Sequence, residues 1–147
     1  MPTEIISNLW IGNLKEVRSK DFYKEKNIQF VVNCSVEAPF LKIMKDYKRF
    51  RFKINDNSDI NNNDLLKLNN KIHRYLSNNL GVLVYCYSGY QCSPMVISSY
   101  IIQYSKINLN NVIQSIQNKY TNAFEQHNNF KITLEKYEFF VNHNKII

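Results

Sequence analysis

A chain of 147 residues, 44% apolar and 14% aromatic, carries enough material for one domain with its own core and needs no covalent staples. Three glycines and three prolines exclude disordered and collagen-like classes. The net charge of +7 permits an anionic partner, yet the lysines are scattered among acids with no run of five, so nucleic acid is not the expected partner. In chain order, "IISNLWIG" reads as one short strand, or two with a turn at Ser7-Asn8. "KDFYKEKN" reads as a short polar helix, "IQFVVNCS" as a buried β-branched strand, and "LKIMKDY" as a helical turn. "KRFRFKI" alternates, which predicts a half-buried strand with Phe50, Phe52 and Ile54 on one face.

"NNND" at Asn61–Asp64 reads as a polar loop. Beyond it, Leu65, Leu68, Ile72, Tyr75 and Leu76 recur at helical spacing. "GVLVYC" is a fully buried strand that ends on Cys86, and "SPMVISSYIIQYS" is a mostly apolar helix with Pro94 in its first turn. Leu109, Val112, Ile113, Ile116 and Tyr120 form the stripe of another helix. Phe130, Leu134 and Tyr137 anchor a last one. Strands alternating with helices imply an α/β domain over residues 1–147 with a largely parallel sheet, whose ligands bind at the carboxyl ends of the strands.

Cys34, Cys86 and Cys92 are odd in number and widely spaced, which argues against a disulfide framework. "MPTEIISNLW" lacks the basic and apolar regions of a secretory signal, and no apolar run has the length of a membrane span. The expected setting is intracellular, cytoplasmic or nuclear, with reduced thiols. His73, His127 and His143 do not have ligand spacing around the cysteines, so neither a metal nor another cofactor is expected, and Cys34 is expected in the core.

The chemistry concentrates in "VYCYSGYQCS", residues 84–93. A chain turning tightly from Cys86 through Tyr87, Ser88, Gly89, Tyr90, Gln91 and Cys92 to Ser93 aims backbone N–H groups inward, and the following helix adds the positive end of its dipole. Both effects push a cysteine toward thiolate, from about 8.5 toward about 3.5–7.5. Gly89 permits a positive φ, and the Ser93 hydroxyl is placed to stabilise the sulfur.

These residues resemble the signature of the cysteine-based protein tyrosine phosphatases, H-C-x-x-G-x-x-R-S/T, in its small dual-specificity form, which continues S-P-x-x-x-x-x-Y. Here the segment reads "YCYSGYQCSPMVISSYII", matching at Cys86, Gly89, Ser93, Pro94 and Tyr100. The similarity extends along the chain, through "TEIISNLWIGNLKEV", "NIQFVVNCS", "INDNSDI", "KIHRYL" and "NNFKITLEKYE". It implies a single-domain dual-specificity-phosphatase fold: a mixed, mostly parallel central sheet flanked by helices. It implies Cys86 as nucleophile and Asp56, about 30 residues upstream, as general acid, with Asp59 the weaker candidate. It also implies a phosphorylated protein as partner.

Two positions depart from the pattern. Cys92 stands where the signature has arginine, and Tyr85 where it has histidine. A thiol cannot make the bidentate contact of a guanidinium. Two lost charge-assisted hydrogen bonds amount to about 3–6 kcal/mol, on the order of 10²–10⁴ in rate. Tyr85 is expected to weaken the network around the thiolate. Arg51, Lys53 and Arg74 are the nearest candidates for a substitute cation. The leading expectation is a pseudophosphatase that binds a phosphoprotein or partner through residues 86–93. The alternatives are a working atypical phosphatase with a Cys86 thiophosphate intermediate and Asp56 as acid, and a redox pair of Cys86 with Cys92.

Overall fold

The computed structural model describes residues 1–54 and 60–144. Five strands form one sheet: β1 (Thr3–Ile6), β2 (Leu9–Asn13), β3 (Ile28–Asn33), β4 (Lys48–Arg51) and β5 (Gly81–Cys86), in the order β1-β2-β5-β3-β4. β1 runs antiparallel to β2, and the β2-β5, β3-β5 and β3-β4 pairs are parallel. The first two strands are a hairpin whose tight turn holds Asn8 at φ 68°, a left-handed conformation that asparagine tolerates. β5 therefore lies at the centre, and all six of its residues are buried. Its alternation feeds two cores. Val82, Val84 and Cys86 face one cluster, and Leu83 and Tyr85 face the other.

The larger core is roofed by α2 (Asn62–Leu76), α3 (Cys92–Ser105), α4 (Leu109–Lys119) and α5 (Lys131–His143). α3 packs against β2 and β5 below and against α2, α4 and α5 around it. That position explains why α3 is buried on nearly all sides while α2 and α4 are amphipathic. Its polar side chains find partners inside: Asn69 Nδ2 donates to Ser99 Oγ at 3.0 Å, and the Tyr137 hydroxyl donates to Gln103 Oε1 at 2.6 Å. The second face is covered by α1 (Lys20–Glu25) and short 3₁₀ turns at Glu16–Arg18 and Lys42–Met44, around Phe22, Tyr23 and Met44.

Two sequence expectations change. The polar run at residues 61–64 is not a loop. Asn61 caps α2, accepting from the N–H groups of Asn63 and Asp64 at 2.7 and 3.3 Å, and Asn62 to Asp64 form the first turn. Asparagine is as good at an N-cap as in a loop, and composition does not separate the two. β4 is shorter than its pattern: it is an edge strand that ends at Arg51, so of the three expected face residues Phe50 lies on the strand at 36% exposure, while half-buried Phe52 and buried Ile54 lie beyond it. Alternation shows which side chains share a face, but not whether a layer lies above that face.

Asn61→Ala is expected to cost about 0.5–2 kcal/mol in a urea titration. Asn63→Ala, whose exposed side chain makes no cap, should be near neutral. Equal costs for the two would contradict the cap.

Candidate functional site

β5 delivers Cys86 to the carboxyl end of the sheet, and α3 begins at Cys92. The five residues between them close the loop, with Gly89 at φ 81°. A Cβ at Gly89 would sit 2.5 Å from the Tyr120 hydroxyl, so both conformation and space require glycine there. The Gly89 N–H donates to Cys86 Sγ at 3.2 Å, and Ser93 Oγ lies 3.3 Å from the same sulfur. The Cys86 thiol is 2% exposed, and burial alone would raise its pKa. It is instead lowered to about 6, first by a hydrogen bond from Cys92, then by the Ser93 hydroxyl and the Ser93 and Gly89 N–H groups. Cys34, fully buried beneath, is held well above the usual thiol range by burial and by the nearby Cys86.

The loop is braced on both sides. Toward the hairpin, Leu14 N–H donates to the Tyr87 carbonyl at 3.1 Å. The Tyr120 hydroxyl that backs Gly89 donates to Glu16 Oε1 at 2.7 Å, and Glu16 also takes the Asn13 N–H at 2.9 Å. Toward the α4–α5 connection, Phe124 N–H donates to the Tyr90 carbonyl at 2.7 Å. The Gln91 amide spans that connection, donating to the His127 carbonyl at 2.8 Å and accepting from Asn129 N–H at 3.0 Å.

Above Cys86 opens a cavity of about 550 Å³. Ser35, Glu37 and Ile54 form one wall, Glu125, Gln126, His127 and Asn129 the other, and Tyr87, Ser88, Tyr90, Gln91 and Cys92 complete the rim and floor. Tyr87 and Tyr90 are exposed at the rim. Among the described lining residues there is no lysine or arginine, and there are two glutamates. Cys92 Sγ lies 4.0 Å from the Ile54 carbonyl. Asp56 and Asp59 lie outside the described residues.

None of the three candidate cations lines this cavity. Arg51 Nη1 donates to the Ser35 and Ala38 carbonyls at 2.8 and 3.0 Å, with its guanidinium 5.1 Å above the Phe40 ring. Lys53 and Arg74 line a separate cavity between β4 and α2.

The dual specificity phosphatase catalytic domain model matches residues 9–139. The chain belongs to that family. Human dual specificity protein phosphatase 9 is 25% identical over 123 residues, a match covering 82% of this chain and 32% of that protein. The chain thus spans about a third of that relative's length. Solved folds agree. A mouse putative dual specificity phosphatase complexed with zinc tungstate superposes with TM-score 0.87 at 20% identity, covering 98% of this chain and 90% of that one. Human DUSP28 gives 0.86 at 18%, covering 96% and 95%. The human tyrosine phosphatase-like serine/threonine/tyrosine-interacting protein gives 0.82 at 18%, covering 95% and 96%.

Tyr85 faces away from the thiol. Its side chain lies in the second core, where its hydroxyl donates to the Pro39 carbonyl at 2.8 Å and accepts from Asn33 Nδ2 at 3.1 Å. It is not among the groups that set the Cys86 thiol, because adjacent strand residues point to opposite faces. The glutamate walls and His127 were missed. Glu37, Glu125 and His127 sit on connections with no periodicity, where sequence carries no signal for which side chains turn inward. No group of described residues has the makings of a metal site, and no described helix is long and apolar enough to cross a membrane.

Iodoacetamide alkylation of Cys86, followed by peptide mass, should show a midpoint near pH 6, because only the thiolate attacks and it dominates above that pH. Tyr85→Phe should leave the midpoint in place. A midpoint near the ordinary value of about 8.5 would contradict the hydrogen-bond set.

Proposed function

We propose that this chain is a catalytically impaired member of its family, which uses the Cys86–Ser93 loop to hold a phosphorylated side chain of a partner protein rather than to hydrolyse it. What supports the reading is the cavity above Cys86: the resemblance puts the signature arginine at Cys92, and no described lining residue is a lysine or arginine. The N-terminus of α3, which begins at Cys92 behind the loop, supports attraction of an oxyanion. What is missing is the planar fork that grips two phosphate oxygens more strongly as charge shifts in the transition state. Glu37 and Glu125 line the same cavity and add negative charge to it.

One observation favours a working enzyme. A thiol lowered to about 6 is ionised at neutral pH, and a thiolate beneath a bound phosphate is a nucleophile in position. In that reading Cys86 attacks phosphorus, the leaving oxygen takes a proton from Asp56, and Asp56 then activates water to break the thiophosphate. The thiolate alone supplies the nucleophile, not the charge stabilisation.

Turnover of an aryl phosphate by wild type, Cys86→Ser, Cys92→Arg and the double variant separates the two. Wild type is expected to be silent. Cys92→Arg should gain about 10²–10⁴ in kcat/KM, and the gain should vanish when Cys86→Ser is added. Wild-type turnover that disappears in Cys86→Ser would overturn the impaired reading.

A further inference from the structure

A dense run of positive charge lies away from Cys86. β4 is the edge strand of the sheet, and residues 48–53 read Lys-Arg-Phe-Arg-Phe-Lys. Across from it α2 presents Lys67, Lys71 and Arg74, one helical turn apart. Between them is a groove of about 690 Å³ that shares no lining residue with the Cys86 cavity. Phe50 and Phe52 supply its apolar floor, and Lys71 Nζ sits 5.3 Å above the Phe50 ring. Asp64 is the one acid among its described lining residues. No described carboxylate pairs with Lys53, Lys67, Lys71 or Arg74. The opposite face of the strand is basic as well, with the Arg49 and Arg51 guanidiniums stacked over Phe40.

The backbone adds direction. Phe52 N–H donates inward to the Asn33 carbonyl at 2.9 Å. Strand alternation therefore turns the Arg49 and Arg51 N–H and carbonyl groups outward. Among the described residues no strand pairs with that edge. A lysine- and arginine-rich edge repels a second copy of itself, since like charges opposite each other are destabilising. It selects a strand of opposite charge.

We propose that the groove between β4 and α2 is a docking site for an extended acidic segment of a partner protein. The segment adds a strand to the β4 edge, laying carboxylates against Lys53, Lys67, Lys71 and Arg74 and apolar side chains on Phe50 and Phe52. Main-chain hydrogen bonds give such an addition its affinity, and the alternate side chains give its selectivity. The site stands independently of whether Cys86 turns over phosphate.

The test is fluorescence anisotropy with a labelled peptide that alternates glutamate with leucine and valine, run beside a labelled oligouridylate and phosphatidylserine vesicles. The peptide should bind, weaken as salt rises, and weaken by about tenfold or more in Lys67→Glu/Lys71→Glu/Arg74→Glu. Arg49→Pro removes an outward N–H that the fold does not use, so it should weaken binding beyond Arg49→Ala while the melting temperature holds. The charge reversal reads the groove even where the proline disturbs the strand. Three results would each overturn the proposal: no peptide binding, binding unchanged by the charge reversal, or groove-dependent binding of the oligouridylate or the vesicles without the peptide.

Discussion

Hydrogen bonds converging on the Cys86 sulfur are the constraint around which this domain is arranged. Burial opposes the charge, yet the Gly89 N–H, the Ser93 hydroxyl and N–H, and the Cys92 thiol together outweigh it and bring the group to about 6. None of these donors reaches the sulfur unless the loop turns within five residues, and that turn exists only with Gly89 at positive φ against the Tyr120 ring. Tyr120 in turn is fixed by Glu16, and Gln91 by the His127 and Asn129 backbone. The central strand and the buried helix behind it serve as the two rigid rails between which the loop is strung.

Binding an oxyanion and stabilising its transfer are separable demands. Backbone donors and a helix N-terminus suffice for the first. The second asks for charge placed where it develops during reaction, and a neutral thiol does not supply it. In the proposed reading Cys92 has a different use: it donates to Cys86 and sustains the thiolate. The cavity thus keeps a negative sulfur and two glutamates with no described lysine or arginine, while the chain as a whole carries +7. The positive charge gathers instead on the β4 edge and α2, where a partner's acidic segment is proposed to dock.

Much of this was legible in the sequence because the signals were local and periodic. β5 reads as an uninterrupted apolar run ending on Cys86, and of the stripe Leu109, Val112, Ile113, Ile116 and Tyr120 all are buried but Ile113, which is half-buried. The loop residues Cys86, Gly89 and Ser93 fall together because seven consecutive positions after a strand leave little choice of geometry. Tyr85 stands next to Cys86 in sequence but on the other face of the sheet, so it adds nothing to the groups around the sulfur. β4 ends sooner than its alternation implies and leaves Phe50 at the edge, because alternation is blind to what covers a strand. Glu37, Glu125 and His127 reach the cavity from connections whose paths depend on contacts distant in sequence, such as Gln91 with the His127 carbonyl.

The central claim is an intact oxyanion cradle without its clamp. Calorimetric titration with tungstate of wild type and of Cys92→Arg at neutral pH tests it most directly, because the oxyanion reports the cradle without requiring chemistry. The account predicts measurable but weak binding by wild type and a gain of about 3–6 kcal/mol in Cys92→Arg, the worth of two charge-assisted hydrogen bonds. Equal affinity in the two proteins would contradict it, since some other group would then be supplying the grip assigned to the missing guanidinium.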